Sequence, residues 1–522
     1  MGRRVISTIA FVLCFAAACG DGGVAPSSSR STDSAFPLVP DADSLDPIGN
    51  RLGVAMQLTW GTGSREAAAR AAELMRLRAT GLRRIRIDFS WHRLETTRGV
   101  WDFSGLDAVV NDATQAGVAI LGLLAYGNPL YAPNGRLGFE STPRDDLASW
   151  IYAAVSDPAP FARYVAAVVA RYKDRVTDFE IWNEPNVGWR FWRPTADAAS
   201  YVALVRAAAT SARAACASCR FSLGGVAMAQ PVPSFDLFPT GPAFLADVFA
   251  RLPESAGIVD AVALHPYQFP KDPPEAETAP FPSRVQGSLA TQLRSVAQLS
   301  GSARRGLALW VTENGWPTNM SVPTTDEEIA RLLGVSVLVV AGARHLLGDA
   351  RFSRLVDAFR GVSENDQASF TIRAALIAMA QGATRYDIYT LDDWATGADK
   401  NQEAAFGLFR ANGDQKPVVA ALRHLTSRYR AYRFVDDMSA LLGLDTDDRR
   451  EWALAFRDGA RVAIAMWRWK DGRRTIRLPA VPGATEIVNA VGAILERGPA
   501  GTSFDVTLGP EVVWLEIDET RS

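Results

Sequence analysis

Residues 178–186 read Asp178-Phe179-Glu180-Ile181-Trp182-Asn183-Glu184-Pro185-Asn186, a β-prone run that gives way abruptly to a polar cluster and a proline. Short runs of this kind recur from residue 51 onward. They occupy 52–58, 84–89, 118–125, 177–182, 220–226, 259–265, 307–312 and 385–390. Helix-period segments lie between them. Leu106, Val109, Val110 and Ala113 form one stripe ahead of Gly117, and Phe161, Val165, Val168, Val169 and Tyr172 form another. Ser363 with Asp366 three positions on has the form of a capping box, opening a helix that ends before Gly382. Strands alternating with helices predict repeated βα units and a parallel sheet, and eight strands are the number that closes a (β/α)8 TIM barrel. An open doubly wound sheet is the rival, but no glycine-rich phosphate turn follows the first strand.

After about residue 430 the texture changes to short alternating strands joined by turns. Arg457-Asp458-Gly459-Ala460 and Lys470-Asp471-Gly472-Arg473 each place Asp-Gly between apolar alternations, the hairpin signature, and Val462, Ile464 and Met466 alternate with their neighbours. The expectation is a barrel over 50–428 followed by a small antiparallel β-sandwich domain over 429–522, packed against it. A length of 522 residues suits that pairing, and 48% hydrophobic residues suffice for a large core. Net charge is only −2 with no long basic run, which argues against a nucleic-acid partner. Fourteen tryptophans leave two readings open, core packing and stacking on sugar rings.

At the amino terminus, Arg3 and Arg4 precede an apolar stretch from Val5 to Ala18 that is short for a bilayer span and reads as an export signal. Ala16-Ala17-Ala18-Cys19-Gly20 resembles a bacterial lipobox, which implies a signal over 1–19, a lipidated Cys19 and a membrane-anchored lipoprotein at the periplasmic face or cell surface. A plain signal peptide cut near the same alanines is the competing reading. Residues 20–49, rich in Gly, Ser, Asp and Pro, read as a flexible linker. Disulfides persist outside the cytoplasm, so Cys216 and Cys219 are expected to form a local bridge at a helix-to-strand junction. One such pair cannot complete a four-ligand zinc site, and no metal or cofactor is expected.

In a (β/α)8 barrel, functional residues project from the carboxyl ends of the strands. Two polar clusters sit there: the opening segment, and Leu309-Trp310-Val311-Thr312-Glu313-Asn314-Gly315-Trp316-Pro317-Thr318 at the end of the seventh strand. Strands four and seven face one another across the mouth, so Glu184 and Glu313 are expected within the roughly 5–5.5 Å that retaining glycosidases need between carboxyl groups.

At these motifs the chain resembles clan A of the glycoside hydrolases, closest to family 39 and the neighbouring family 5. Further similarity lies in Arg84-Ile85-Arg86-Ile87-Asp88-Phe89-Ser90-Trp91, in His265-Pro266-Tyr267 and in Tyr389-Thr390-Leu391-Asp392-Asp393-Trp394, so that it spans roughly residues 50–425. The resemblance implies that Glu184 is the general acid/base and Glu313 the nucleophile. It implies that Asn183 bonds the sugar 2-hydroxyl, that Tyr267 and Arg86 hold Glu313 anionic, that His265 lines the same subsite, and that Trp394 forms a sugar platform. Tyr126 and Asn128 are further candidates for subsite contacts. Arg86 as a purely structural ion-pair residue and His265 as a buried hydrogen-bonding residue remain the competing readings.

The third strand ends in Leu124-Ala125-Tyr126-Gly127-Asn128 without the histidine many family 5 enzymes carry near there, which favours the comparison with family 39. The expected partners are a carbohydrate and, through the anchor, a membrane; no protein partner is implied. A carbohydrate-binding lipoprotein without activity, and a transglycosylase, are the alternative functions. The apolar helical material between strands seven and eight, 319–362, with Leu332, Leu333, Val335, Val337, Leu338 and Val339, is expected to wall one side of the cleft.

Overall fold

The computed structural model describes residues 46–58, 66–131, 150–188, 190–228, 239–253, 255–268, 272–277, 287–303, 306–318, 325–328, 337–349, 361–394, 403–446 and 449–520. Eight parallel strands, β1 (Leu52–Ala55), β2 (Arg84–Ser90), β3 (Ala119–Ala125), β4 (Asp178–Asn183), β5 (Arg220–Ala227), β6 (Ala261–His265), β7 (Ala308–Asn314) and β8 (Ala383–Ile388), close into a barrel. Closure is made by β8 pairing with β1, Tyr386 opposite Leu52 and Ile388 opposite Val54.

The helices around the barrel are α1 (Ala67–Thr80), α2 (Ser104–Gln115), α3 (Pro158–Tyr172), α4 (Ala198–Ala215), α5 (Gly241–Arg251), α6 (Leu289–Ala303), α7 (Val337–Leu347), α8 (Glu364–Ala380) and α9 (Pro417–Arg428). The apolar stripes expected on α2 and α3 are the buried faces of those helices. Ser363 caps α8 by accepting from the Asp366 backbone N–H, while its own hydroxyl donates to the Asp366 carboxylate. Gly382, at φ 85°, ends the turn after α8 and feeds the chain straight into β8. That strand therefore begins two residues earlier than expected, at Ala383. The Tyr389 N–H makes the last bond to β7, at the Asn314 carbonyl, and Thr390 has left the ladder, its N–H going to the Phe406 carbonyl.

Below the mouth, part of the barrel interior is filled by charge rather than by aliphatic layers. Buried Asp178 receives Arg84 at 2.9 Å and, from its solvent side, the half-exposed Arg220 at 2.8 Å, and buried Arg385 donates to Asp387 at 2.5 Å. Burial of such groups is tolerated only when they are paired. Arg84 shows the strain of it, its guanidinium pushed down to about 10 by burial and by the neighbouring Arg385.

The carboxyl-terminal strands are β9 (Arg433–Asp437), β10 (Glu451–Asp458), β11 (Arg461–Arg468), β12 (Arg474–Leu478), β13 (Ala484–Val488), β14 (Ile494–Gly498), β15 (Phe504–Leu508) and β16 (Val513–Asp518). Six form an antiparallel sheet ordered β14-β13-β16-β11-β10-β9, and β12 with β15 forms a second, two-stranded one. Asp458-Gly459 is the tight hairpin its sequence predicts, joining β10 to β11 with Asp458 opposite Arg461. Asp471-Gly472 is not such a hairpin. Both edges of β11 are already taken, by β10 and β16, so the turn carries the chain out of the large sheet and β12 pairs with β15 instead.

The alternation along β11 is real, but both of its faces are covered. Val462, Ile464 and Met466 pack with Ile476, Leu478, Phe504 and Val506 inside the two-sheet region, whereas Ala463, Ala465 and Trp467 belong to the core shared with the barrel helices. Trp514 stacks on Tyr429, just after α9, with centroids 4.0 Å apart. A buried ion pair on the barrel side anchors the same seam: Arg373 of α8 pairs with Glu275 and donates across to the Pro510 carbonyl at 2.7 Å, and Glu275 accepts from Trp467 Nε1 at 2.8 Å. Removing one partner of such a pair typically costs about 3–5 kcal/mol. Eight tryptophans, including Trp182, Trp310 and Trp316, are fully buried, so most of the indole content serves the core.

Among the described residues no helix is long and apolar enough to cross a membrane. Cys19 and nearly all of the expected linker lie outside the described residues. Cys216 and Cys219 form the expected disulfide, with Cys216 capping the carboxyl end of α4 and Cys219 immediately preceding β5.

Candidate active site

A cavity of about 320 Å³ opens at the carboxyl ends of the barrel strands, lined among others by Arg86, Asn183, Glu184, Tyr267 and Glu313. These five come from β2, from β4 and the residue after it, from the segment after β6, and from β7. They are up to 227 positions apart in sequence and are brought together only by barrel closure.

Glu313 receives Arg86 Nη1 on one oxygen at 2.6 Å and the Tyr267 hydroxyl on the other at 3.0 Å. Arg86 is itself held from below. Its Nε donates to Glu180 at 2.7 Å, and its Nη2 donates to Glu180 at 3.3 Å and to Asn183 Oδ1 at 2.8 Å. Burial alone would push the guanidinium down, but Glu180 and Glu313 outweigh it and hold Arg86 firmly charged. Burial first, then the Glu313 charge, pushes the Tyr267 phenol well up, so the hydroxyl keeps its proton and remains a donor to Glu313.

The Asn183 side-chain orientation follows from its partner. Arginine only donates, so the amide oxygen must face Arg86, and the NH₂ group is left to face the cavity that Asn183 lines. A regular strand sends successive side chains to opposite faces, yet Asn183 and Glu184 both line the cavity. The departure comes from Trp182 at φ 71° and Glu184 at φ 43°, a left-handed conformation that costs a non-glycine residue roughly 1–2 kcal/mol.

His265, buried at the end of β6, lies against Glu184, with Nδ1 2.8 Å from Oε1, and 3.7 Å from Glu313. It stands behind the carboxylates rather than on the cavity wall. Burial alone would push its imidazole down, but Glu313 and Glu184 together outweigh burial and raise it above the ordinary histidine value. Gly225 of β5 makes room for the ring: a Cβ there would meet His265 Nε2 at 2.1 Å. One oxygen of Glu184, one of Glu313 and a ring nitrogen of His265 lie within 4.8 Å of one another. Such a trio could approach a metal ion, but Arg86 already supplies the cation that Glu313 faces.

Of the other expected residues, Tyr126 lines the cavity, packed edge-on against Tyr152 and Trp182. Trp394, 38% exposed, lies beside the cavity and lines an adjoining hollow with Asp392 and Arg410; the two spaces share Gln57 and Thr390 as a wall. Asn128 is turned into the scaffold. Its amide donates to the Glu95 carbonyl at 2.8 Å and accepts from the Leu130 N–H at 3.0 Å, and it is not among the cavity-lining residues. Of the 319–362 segment, Leu332, Leu333 and Val335 lie outside the described residues. Its described residues, 325–328, 337–349 with α7, and 361–362, contribute nothing to the cavity lining, and Leu338 is 84% exposed.

Glu180, Thr312, Asp88 and Arg190 were not singled out from sequence. A carboxylate in the middle of an apolar strand, as at Glu180, is the signal for a buried partner, and Asp88 shares a strand face with Arg86 two residues away.

No protein-family model matches the chain, and no curated protein does. Solved structures do. A family 39 glycoside hydrolase from Bacteroides cellulosilyticus WH2 superposes with a TM-score of 0.63 at 19% identity, covering 92% of this chain and 83% of that one. This chain has their fold. A family 39 β-xylosidase from Caulobacter crescentus gives 0.56 at 16% identity over 92% and 98% of the two chains, and a family 30 endoxylanase from Clostridium papyrosolvens C71 gives 0.50 at 12% over 91% and 97%. Coverage above nine-tenths of this chain means that the likeness includes the carboxyl-terminal sheets as well as the barrel.

Proposed function

We propose that this protein is a retaining glycoside hydrolase that cleaves O-glycosidic bonds in oligo- or polysaccharides by double displacement. The observation that carries the reading is the approach of Glu184 and Glu313 oxygens to within 4.8 Å across the cavity mouth. Retaining enzymes hold their carboxyl groups about 5–5.5 Å apart, and inverting ones leave roughly 6.5–9.5 Å for a water. The two carboxylates also differ in surroundings in the sense the chemistry requires. Glu313 meets a fixed cation and a phenol, which favour the ionised nucleophile, whereas Glu184 meets a histidine with which it can exchange a proton.

In this reading Glu184 protonates the departing oxygen while Glu313 attacks the anomeric carbon. Glu184 then takes a proton from the water that displaces Glu313. The Asn183 NH₂ group is placed to meet the sugar 2-hydroxyl, a contact that strengthens in the oxocarbenium-like transition state. The first-formed product therefore keeps its anomeric configuration. An NMR time course on any accepted glycoside tests this, starting with aryl β-xylosides since two of the similar structures are named as a β-xylosidase and an endoxylanase. An inverted first product would overturn the mechanism and leave the fold untouched.

We further propose that the enzyme is exported and anchored through Cys19. The basic pair, short apolar stretch and lipobox-like Ala16-Ala17-Ala18-Cys19 support it. Thioether attachment of a lipid needs the thiolate. Cys19→Ser is expected to move the protein from the membrane fraction to the soluble one; unchanged partitioning would refute the anchor.

A further inference from the structure

The hydrogen-bond chain behind the carboxylates fixes more than position. Glu180 Oε1 accepts from the Gly225 N–H at 2.6 Å, from Arg86 Nη2 at 3.3 Å and from the Thr312 hydroxyl at 3.2 Å, and its Oε2 accepts from Arg86 Nε at 2.7 Å. A fully buried carboxylate facing four donors acts as an acceptor only. The hydroxyl of Thr312 has one proton, and Glu180 takes it. What Thr312 offers to His265 Nε2, 3.1 Å away, is then a lone pair, so Nε2 must carry a hydrogen.

We propose that Glu180 and Thr312 are positioning residues that hold His265 with its proton on Nε2, so that Nδ1 and the Glu184 carboxyl carry one exchangeable proton between them. The proposal rests on Glu184 being the acid/base. With Nε2–H fixed, the 2.8 Å contact between Nδ1 and Glu184 Oε1 has two proton placements, imidazole with carboxylic acid or imidazolium with carboxylate. Both have the same net charge, and both keep the proton within reach of the departing oxygen.

The groups facing His265 are Glu184 from the end of β4, Glu313 from β7, Glu180 of β4 through Thr312, and Arg86 from β2. The two nearer carboxylates outweigh burial and Arg86, so the ring favours binding the second proton. In the first step the shared proton goes to the glycosidic oxygen as its bond to C1 breaks and the bond from C1 to Glu313 forms. The pair is left as neutral imidazole and carboxylate. In the second step water bonds to C1, its proton returns to the pair, and the ester to Glu313 breaks. The Nε2 proton never leaves.

Thr312→Val removes the lone pair that fixes the ring and is nearly isosteric, and Thr312→Ser restores it. In Thr312→Val the neutral ring can turn to the Nδ1–H tautomer and donate to ionised Glu184, which stabilises the carboxylate without storing a proton. The basic limb of the kcat/KM profile is expected to move to lower pH by about one unit. The kcat on poor leaving groups should fall roughly tenfold or more, a part of the about 10²–10⁴-fold that general acid catalysis contributes, and much less on activated aryl leaving groups. Serine should return both.

A second readout uses no substrate. In the full chain labelled with ¹⁵N-histidine, the His265 signals, assigned by their loss in His265→Asn, should show Nε2 protonated at every pH in the wild type and the Nδ1–H form in Thr312→Val. A neutral Nδ1–H ring in the wild type, or an unmoved basic limb together with unchanged ring signals in Thr312→Val, would overturn the proposal. The expected ring signals in a protein that hydrolyses no glycoside would overturn the functional reading and sustain the tautomer assignment.

Discussion

Glu313→Gln is expected to lose nearly all turnover, on the order of 10⁴-fold or more, because an amide cannot form the glycosyl ester that double displacement passes through. The loss should be specific to chemistry. Glutamine keeps the shape of glutamate, its amide oxygen can still accept from Arg86 or Tyr267, and Arg86 keeps Glu180 as its buried counter-ion. The fold and ligand binding are therefore expected to survive. A thermal midpoint near that of the wild type, saturable binding of an accepted oligosaccharide by calorimetry and no steady-state product form the expected set. Activity near the wild-type level in a preparation free of reverted protein would remove Glu313 from the nucleophile role.

Glu184→Ala should separate substrates by leaving group. For a natural sugar leaving group, bond cleavage needs the proton, and the loss should be about 10²–10⁴-fold. For an aryl group of low pKa the departing oxygen needs little help, so the first step is largely retained and hydrolysis of the glycosyl-enzyme becomes limiting. Azide needs no general base and should enter the space left by the carboxylate, raising turnover and yielding a glycosyl azide of retained configuration. Azide without effect, together with an equal loss on all substrates, would place the acid/base elsewhere. His265 loses the carboxylate beside Nδ1 in this variant, so part of the loss should appear as a changed pH profile as well as a lower plateau.

The degree to which the site was legible follows from what kind of interaction each residue makes. Glu184 and Glu313 could be read because each follows an apolar strand run, and strand ends in a closed barrel share one rim. Arg86, Asn183 and Tyr267 were legible through the motifs around them, and they meet at the cavity. Glu180 and Thr312 lie in the same two motifs as Glu184 and Glu313, but their roles were not legible, because their partners lie across the barrel: Glu180 meets Thr312 132 positions away and Arg86 94 positions away. Asn128 shows the opposite case. It follows a strand end as a binding residue would, yet local bonds to Glu95 and Leu130 use up its amide.

The carboxyl-terminal region divides in the same way. Asp458-Gly459 and Asp471-Gly472 are alike as dipeptides, and only the occupancy of the β11 edges decided that one closes a hairpin and the other changes sheets. The alternation along β11 predicted two different faces, and the barrel helices on one side and β12 with β15 on the other decided that neither is solvent-facing.

By itself the sequence determined those features whose energetics are local: strand runs, helix stripes, the Ser363 cap, the Cys216–Cys219 bridge three residues apart and the order of the two glutamate motifs. Tertiary structure alone decided which side chains converge and what each one faces. Two left-handed residues, Trp182 and Glu184, turn Asn183 and Glu184 into one cavity, and a chain of hydrogen bonds from Glu180 through Thr312 orients His265. The reason is physical: hydrogen-bond polarity and charge pairing act over about 3 Å. Closing the eight-stranded ring is what brings residues a hundred or more positions apart into that range.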